Sequence, residues 1–188
     1  MSRILKSKKA LSTVVTTLII LVVSVLLATI VTFYAINITT NRTQQESLYM
    51  SNLHVWYNTT SPGWAEAAYV LINTGGKDVV LQRITARSQT CAWNNTFYWT
   101  TNTVVVTANL NVTDTKPTGS SLSMNIMSAS RSLNAATGVI TLKSGYTLVV
   151  YIYHPDSVGQ NDVGTAIAVT VFTANAQWTQ EANVEAAQ

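Results

Sequence analysis

The chain opens with a short polar stretch, passes into a long apolar one, and then settles into brief alternations of apolar and polar residues. From Leu11 to Ile36 there are 26 residues without a charge, a glycine or a proline. Apolar residues occupy every side of the helix this run predicts, so it suits surroundings of lipid or other helices. A bilayer span needs about 20 apolar residues, and this run is long enough to cross. It also exceeds the roughly 7–15 apolar residues of a conventional signal peptide, and no small-x-small cleavage site ends it. Ser12, Thr13, Thr16, Thr17, Ser24, Thr29 and Thr32 interrupt the run, with Ser12/Thr16 and Thr13/Thr17 one helical turn apart. Residues of this kind let helices approach closely, and their hydroxyls can bond across or back to their own helix carbonyls. They are also simply tolerated in membrane helices. Neither Gly nor Pro occurs from Asn37 to Leu53, and Tyr49, Met50 and Leu53 keep helical spacing. The helix is therefore expected to continue to about residue 51, roughly 60 Å at 1.5 Å per residue.

Beyond residue 52 the period changes to that of strands. In "TVVVTANLNVT", Val104, Val106, Ala108, Leu110 and Val112 alternate with mostly polar neighbours, which predicts a half-buried antiparallel strand. "AAYVLINTGGKDVVLQRITAR" reads as two strands joined in a hairpin at Gly75-Gly76, and "GVITLKSGYTLVVYIYH" repeats that design around Ser144-Gly145. Residues 164–178 read as a long last strand. About seven strands with glycine-bearing turns and no second helix predict a β-sandwich. Residues 114–138 lack a steady period and are expected to form an extended loop, with Leu122, Met124, Ile126, Met127 and Leu133 packed on the sandwich, the favoured reading, or on a neighbouring subunit.

Charge changes this picture in one respect. Arg3, Lys6, Lys8 and Lys9 lie in the first ten positions, and no acid precedes Glu46. Without those ten residues, seven basic side chains face eight acidic ones, so the net charge of +3 belongs to the N-terminal tag. The basic flank orients the N-terminus to the cytoplasm and the rest outward. A nucleic-acid surface needs basic side chains spread over a folded face, which excludes that partner. Charged residues make up 10% of the chain, against roughly 25% in an ordinary soluble domain. A surface built from Ser, Thr, Asn and Gln suits an exported, glycosylated or neighbour-covered protein.

Candidate chemistry is sparse. The single cysteine, Cys91, reads as a buried small hydrophobe. His54 and His154 have no metal-ligand spacing, "HPDS" reads as a turn, and no phosphate loop or nucleophile elbow occurs. No catalytic residue, metal or cofactor is assigned, and the chain is not expected to be an enzyme. Five N-x-Ser/Thr sequons occur, a count close to chance for this composition. Asn41, Asn58, Asn94 and Asn111 are the candidate N-glycosylation sites, whereas Asn37 sits where the helix should be crowded.

The residues "KKALSTVVTTLIILVVSVLLATIVTFYA" resemble the class III leader and N-terminal helix of archaeal type IV pilins. The resemblance covers residues 6–40. It implies a leader over residues 1–10, with Lys6, Lys8 and Lys9 as its basic residues, cut between Ala10 and Leu11 by a membrane prepilin peptidase. The apolar helix, residues 11–51, would stay on the mature protein as its polymerisation helix, followed by a globular β-domain over residues 52–188. Val15 stands where bacterial type IV pilins carry a Glu, which points to the archaeal branch. "NTGGKD" also resembles a turn of Ig-like domains in those pilins. The expected fold class is α+β: a long N-terminal hydrophobic helix followed by an Ig-like antiparallel β-sandwich.

The function implied is that of a structural subunit of an extracellular adhesion pilus. Its partners would be further copies of itself, the prepilin peptidase and assembly machinery, and the membrane before assembly. Two other readings stay open: an archaellin of the rotating archaeal filament, and a single-pass membrane-anchored surface binding protein with its leader uncut. An anchored hydrolase would need a site that the sequence does not show.

Overall fold

The computed structural model describes residues 2–60, 63–114, 117, 119–155 and 158–187, with the side chains of residues 2–10 and 42–44 outside that description. The chain divides into two units, residues 1–43 and 44–188. The first is helix α1, Ser2–Gln44, 43 residues long. Among the described residues the second holds twelve strands: β1 Leu48–Asn58, β2 Trp64–Asn73, β3 Val79–Leu81, β4 Arg83–Ala86, β5 Gln89–Thr90, β6 Thr96–Thr101, β7 Ser121–Ile126, β8 Ala129–Ala135, β9 Ile140–Leu142, β10 Thr147–Tyr153, β11 Ala166–Phe172 and β12 Gln177–Ala187. The fold class is α+β, a long apolar helix followed by a large, mostly antiparallel sheet region.

Ten strands form one sheet in the order β5-β4-β11-β12-β1-β2-β10-β6-β8-β7, and β3 with β9 forms a separate ribbon. The pairing of β1 with β12 is parallel, setting Val55 opposite Val184 and Asn58 opposite Ala187. Side chains from distant parts of the large sheet meet in one inner cluster: Ala67, Tyr69 and Leu71 of β2, Ile167, Val169 and Val171 of β11, and Leu81 and Leu142 of the ribbon. The sheet must therefore curl around that cluster, with the ribbon as its closing wall. The opposite face of β2 and β10 carries Ala68, Val70, Val149 and Tyr151. It packs against Phe97 of β6, against Leu122, Met124, Ile126 and Leu133 of the β7-β8 hairpin, and against Val106 and Leu110. β2 and β10 are thus covered on both faces, which explains why "AAYVLI" and "LVVYIY" are nearly continuous apolar runs.

Several expectations need correction. α1 ends at Gln44 and not near residue 51, because Leu48–Asn58 is a strand paired with β2, Leu48 opposite Asn73 and Asn58 opposite Trp64. Tyr49, Met50 and Leu53 fit helical spacing, but sheet pairing decides their conformation. The Gly75-Gly76 and Ser144-Gly145 turns are not hairpins: β2 pairs with β10, and β3 with β9. Each turn instead carries the chain between the large sheet and the ribbon. The two turns interlock, the Asn73 side chain donating to the Lys77 carbonyl at 2.8 Å and the Leu142 carbonyl at 3.1 Å, and Ser144 Oγ donating to the Gly75 carbonyl at 2.6 Å.

Thr103–Thr113 forms no strand. It lies on the outer cluster with Val106 and Leu110 buried and Val105 exposed, its alternation met by packing and not by a ladder. Residues 121–135, expected as a loop, are the β7-β8 hairpin, Leu122 opposite Leu133. Its turn residues Met127 and Ser128 both have positive φ, 55° and 61°, the geometry of a two-residue hairpin turn without the usual glycine. Leu122, Met124, Ile126 and Leu133 are buried as expected, whereas Met127 at the turn is exposed. The last strand is two, β11 and β12, paired with each other. Cys91 is buried within the inner cluster, as expected for a small hydrophobe.

Candidate functional site

The candidate site is α1 itself. From Leu11 to Asn41 it is 31 residues long and apolar enough to cross a membrane, about 46 Å at 1.5 Å per residue against the ~30 Å of a hydrocarbon core. Every residue in that span is exposed, including eighteen large apolar side chains between Leu11 and Ile38. No face is set apart as polar, so no orientation on a surface would cover them all.

The hydroxyl residues do not break this apolar character. Thr16 donates to the Ser12 carbonyl at 2.9 Å, Thr17 to Val14 at 2.9 Å, Ser24 to Ile20 at 2.7 Å and Thr29 to Val25 at 2.8 Å. Thr32 donates to Ala28 at 2.7 Å and Thr39 to Ala35 at 2.8 Å. Each of these six hydroxyl protons is spent on a carbonyl about one turn back, so none of the six presents an unsatisfied donor to lipid or to a neighbouring helix. Ala10 and Leu11 both lie within α1. The side chains of Lys6, Lys8, Lys9 and Ala10, the expected leader residues, lie outside the described residues.

The candidate glycan acceptors separate clearly. Asn41, Asn94 and Asn111 are exposed, whereas Asn58 is 5% exposed and its side-chain oxygen accepts the Thr60 N–H at 2.8 Å. Asn58 therefore offers little surface to a saccharide in the folded domain. Thr96 and Thr113, the hydroxyl residues of the Asn94 and Asn111 sequons, are themselves buried. Thr96 Oγ1 donates to the Ala92 carbonyl and Thr113 Oγ1 to Glu66. Solvent access to the asparagines is thus not matched by access to the whole sequon.

Other polar groups are placed by the fold and not gathered into a centre. His54 stacks on Trp56 with ring centroids 5.3 Å apart, and its Nδ1 lies 3.6 Å from Glu185, which also accepts the Trp56 indole N–H at 3.2 Å. His154 is exposed at the end of β10, while Asp156 and Ser157 of the "HPDS" turn lie outside the described residues. Arg87 pairs with Asp162 at 2.7 Å, and that bond, with the Gly159 N–H, holds the Asp162 carboxyl below its usual range. Among the described residues no group of three or more His, Cys, Asp or Glu is placed to hold a metal.

Sequence reasoning missed Glu66. It is the one charged residue in the middle of an apolar strand, which is the signal that could have found it. It is 1% exposed, and its Oε2 accepts the N–H of Thr113 at 3.2 Å and the hydroxyl of Thr113 at 2.6 Å. Glu46, just past α1, accepts from Thr173 Oγ1 and Asn175 Nδ2, both at 2.7 Å. Slight burial raises its pKa, but those bonds and the charge of Lys77 outweigh it and hold the group below its ordinary value.

No protein-family model matches the chain, and no curated protein sequence matches it either. The functional reading therefore rests on the chain's own residues.

Proposed function

We propose that the protein is the structural subunit of an archaeal type IV pilus, its apolar helix serving first as a membrane anchor and then as the packed core of an extracellular filament. The observation that carries this reading is the all-round apolar surface of Leu11–Asn41, every residue of it exposed. Leaving eighteen large apolar side chains in water costs on the order of 30 kcal/mol, so the helix requires lipid or other helices. A move from bilayer to a bundle of identical helices exchanges hydrocarbon for hydrocarbon, and the backbone keeps its own hydrogen bonds in both settings. The basic residues before it favour a cytoplasmic N-terminus, where a prepilin peptidase would cut between Ala10 and Leu11. The assembly machinery would then draw the mature subunit into the filament, with the β-domains outward. Adhesion is the preferred role. Rotation of the filaments would instead identify an archaellin.

A second reading has support from the same helix: a single uncut membrane span anchoring the β-domain as a surface binding protein. The mass-determined N-terminus of material released from cells separates the two. A polymer beginning at Leu11 supports the pilin. A detergent-dependent single subunit that keeps Lys6, Lys8 and Lys9 supports the anchor and rejects the pilin.

A further inference from the structure

The connection from β6 to β7 crosses the outer face of β2 and β10 as irregular chain, seating Val106 and Leu110 on Ala68, Val70, Val149 and Tyr151. With no strand ladder to hold it, it depends on a few polar anchors. Thr101 Oγ1 accepts the N–H groups of Thr103 and Val104 at its start. Further along, Asn52 donates to the Ala108 carbonyl at 3.1 Å, and the Tyr151 hydroxyl donates to the Asn111 carbonyl at 3.0 Å. The last anchor is the pair of bonds from Thr113 to Glu66 Oε2.

That last anchor differs from the others because it rests on a buried acid. Glu66 Oε1 and the indole nitrogen of Trp64, two residues away on the same face, are both buried and neither makes a hydrogen bond of ordinary length, although the indole still eases the carboxylate's charge from a greater distance. The groups around the carboxyl do not neutralise it. From β10, Tyr153 stands directly opposite in register and Tyr151 stands diagonally. From β1, Trp56 stands opposite and gives its N–H to Glu185 of β12, beside His54. From the connection, the next ionisable residue is Asp114, another acid. The two ion pairs among the described residues, His54–Glu185 and Arg87–Asp162, leave Glu66 out.

We propose that Glu66 is a proton-operated latch on residues 102–114: protonated, it lets them lie closed over the sheet, and ionised, it favours their lifting so that water reaches the carboxylate. The cost of the closed, ionised state is a charge in an apolar layer with one oxygen lacking an ordinary hydrogen bond. Burial accordingly raises the Glu66 carboxyl from 4.5 to about 7, against the opposing pull of the Thr113 bonds and the nearby Trp64 indole. Burial, aided by the charge of Glu66, also pushes the Tyr151 phenol upward. Lifting the connection returns the carboxyl to water and to its ordinary value. Closed and open states then differ by one proton between pH 4.5 and about 7, and the open fraction rises by up to about tenfold per pH unit across that window.

Amide hydrogen exchange of Val104 and Thr113, whose N–H groups are bonded to Thr101 and Glu66 in the closed state, measured in the full-length protein and corrected for the intrinsic pH dependence of exchange, tests this. Wild type is expected to show opening that increases on the order of a hundredfold from pH 5 to pH 7 and levels off above, and Glu66→Gln to show none of that increase. A flat wild-type profile, or the same rise in Glu66→Gln, would overturn the latch. Thr113→Val serves where Glu66→Gln does not fold. It removes a hydroxyl bond to the ionised form, so the rise must extend to higher pH, and an unmoved profile would overturn the proposal equally.

Discussion

Replacing Val22 with Asp, and separately with Thr, distinguishes an apolar packing helix from one that tolerates polarity in general. Val22 lies near the middle of the Leu11–Asn41 span and is surrounded by exposed apolar side chains. Six hydroxyl side chains of the helix are already bonded to carbonyls three or four residues back at 2.7–2.9 Å. A Thr at position 22 has the Leu18 carbonyl available in the same way, and should cost less than about 1 kcal/mol. An Asp has no such escape, since its carboxylate is an acceptor and the helix carbonyls are acceptors too. At mid-bilayer that charge costs about 2.5–3.5 kcal/mol, and a helix bundle offers it no better partner. A packed bundle also removes the thinning and water defects that limit the cost in lipid, and a further penalty of about 3 kcal/mol per subunit for the buried charge raises the concentration needed for assembly on the order of a hundredfold, enough to abolish filaments at ordinary expression. The assay is the yield of pelleted filaments checked by electron microscopy, alongside the amount of membrane-bound precursor, so that failed insertion is not mistaken for failed assembly. Normal filaments from Val22→Asp, or an equal loss from Val22→Thr, would refute the reasoning.

Further outcomes concern the β-domain and its sites. Gly75→Ala should destabilise the domain by about 1–3 kcal/mol, because a Cβ there would lie 2.9 Å from the Gln45 carbonyl oxygen and the Ser47 nitrogen, both backbone atoms. Gly138→Ala, which meets open space, is the control in thermal unfolding. Leu133→Ala, at a fully buried position of the β7-β8 hairpin, should cost about 2–5 kcal/mol, while Met127→Ala at its exposed turn should cost under about 0.5 kcal/mol. Because the folded Glu66 carboxyl is raised to about 7, the native state holds a proton that the unfolded chain has lost. Denaturant titrations should therefore show stability falling as pH rises from 4.5 to about 7, by at most about 3 kcal/mol. Glu46 and Asp162, both lowered, act in the opposite sense below their ordinary values of 4.5 and 3.8, where acidification removes stability. If the native protein carries N-glycans, intact-mass measurement should find the same glycan mass in Asn58→Gln as in wild type.

The helix was legible because nothing non-local decides it: an unbroken apolar run without Gly or Pro reads the same way alone as in the fold. Its end was not, because Tyr49, Met50 and Leu53 satisfy both helical and strand spacing until β2 pairs with them. Gly75-Gly76 announced a turn, but a turn signal does not name a strand's partner. β2 finds β10 and β3 finds β9 across about sixty or more residues of chain. The β7-β8 hairpin stayed hidden because Met127 and Ser128 take positive φ without glycine, as Arg87 and Ser88 do between β4 and β5. Thr103–Thr113 misled in the other direction, since alternation records which side is buried, not whether a ladder forms. Of the candidate site, the apolar span was fully readable. Glu66 was visible as an acid in an apolar strand, but its burial and its bond to Thr113 depend on a contact between residues 47 positions apart.

The most direct test of the central claim is electron cryomicroscopy of detergent-free material sheared from cells. The expected result is a filament whose axis is a bundle of apolar helices built from Leu11–Asn41 of successive subunits, with β-domains on the outside. A filament held together by β-domains with that helix missing, or material that stays monomeric without detergent, would contradict it.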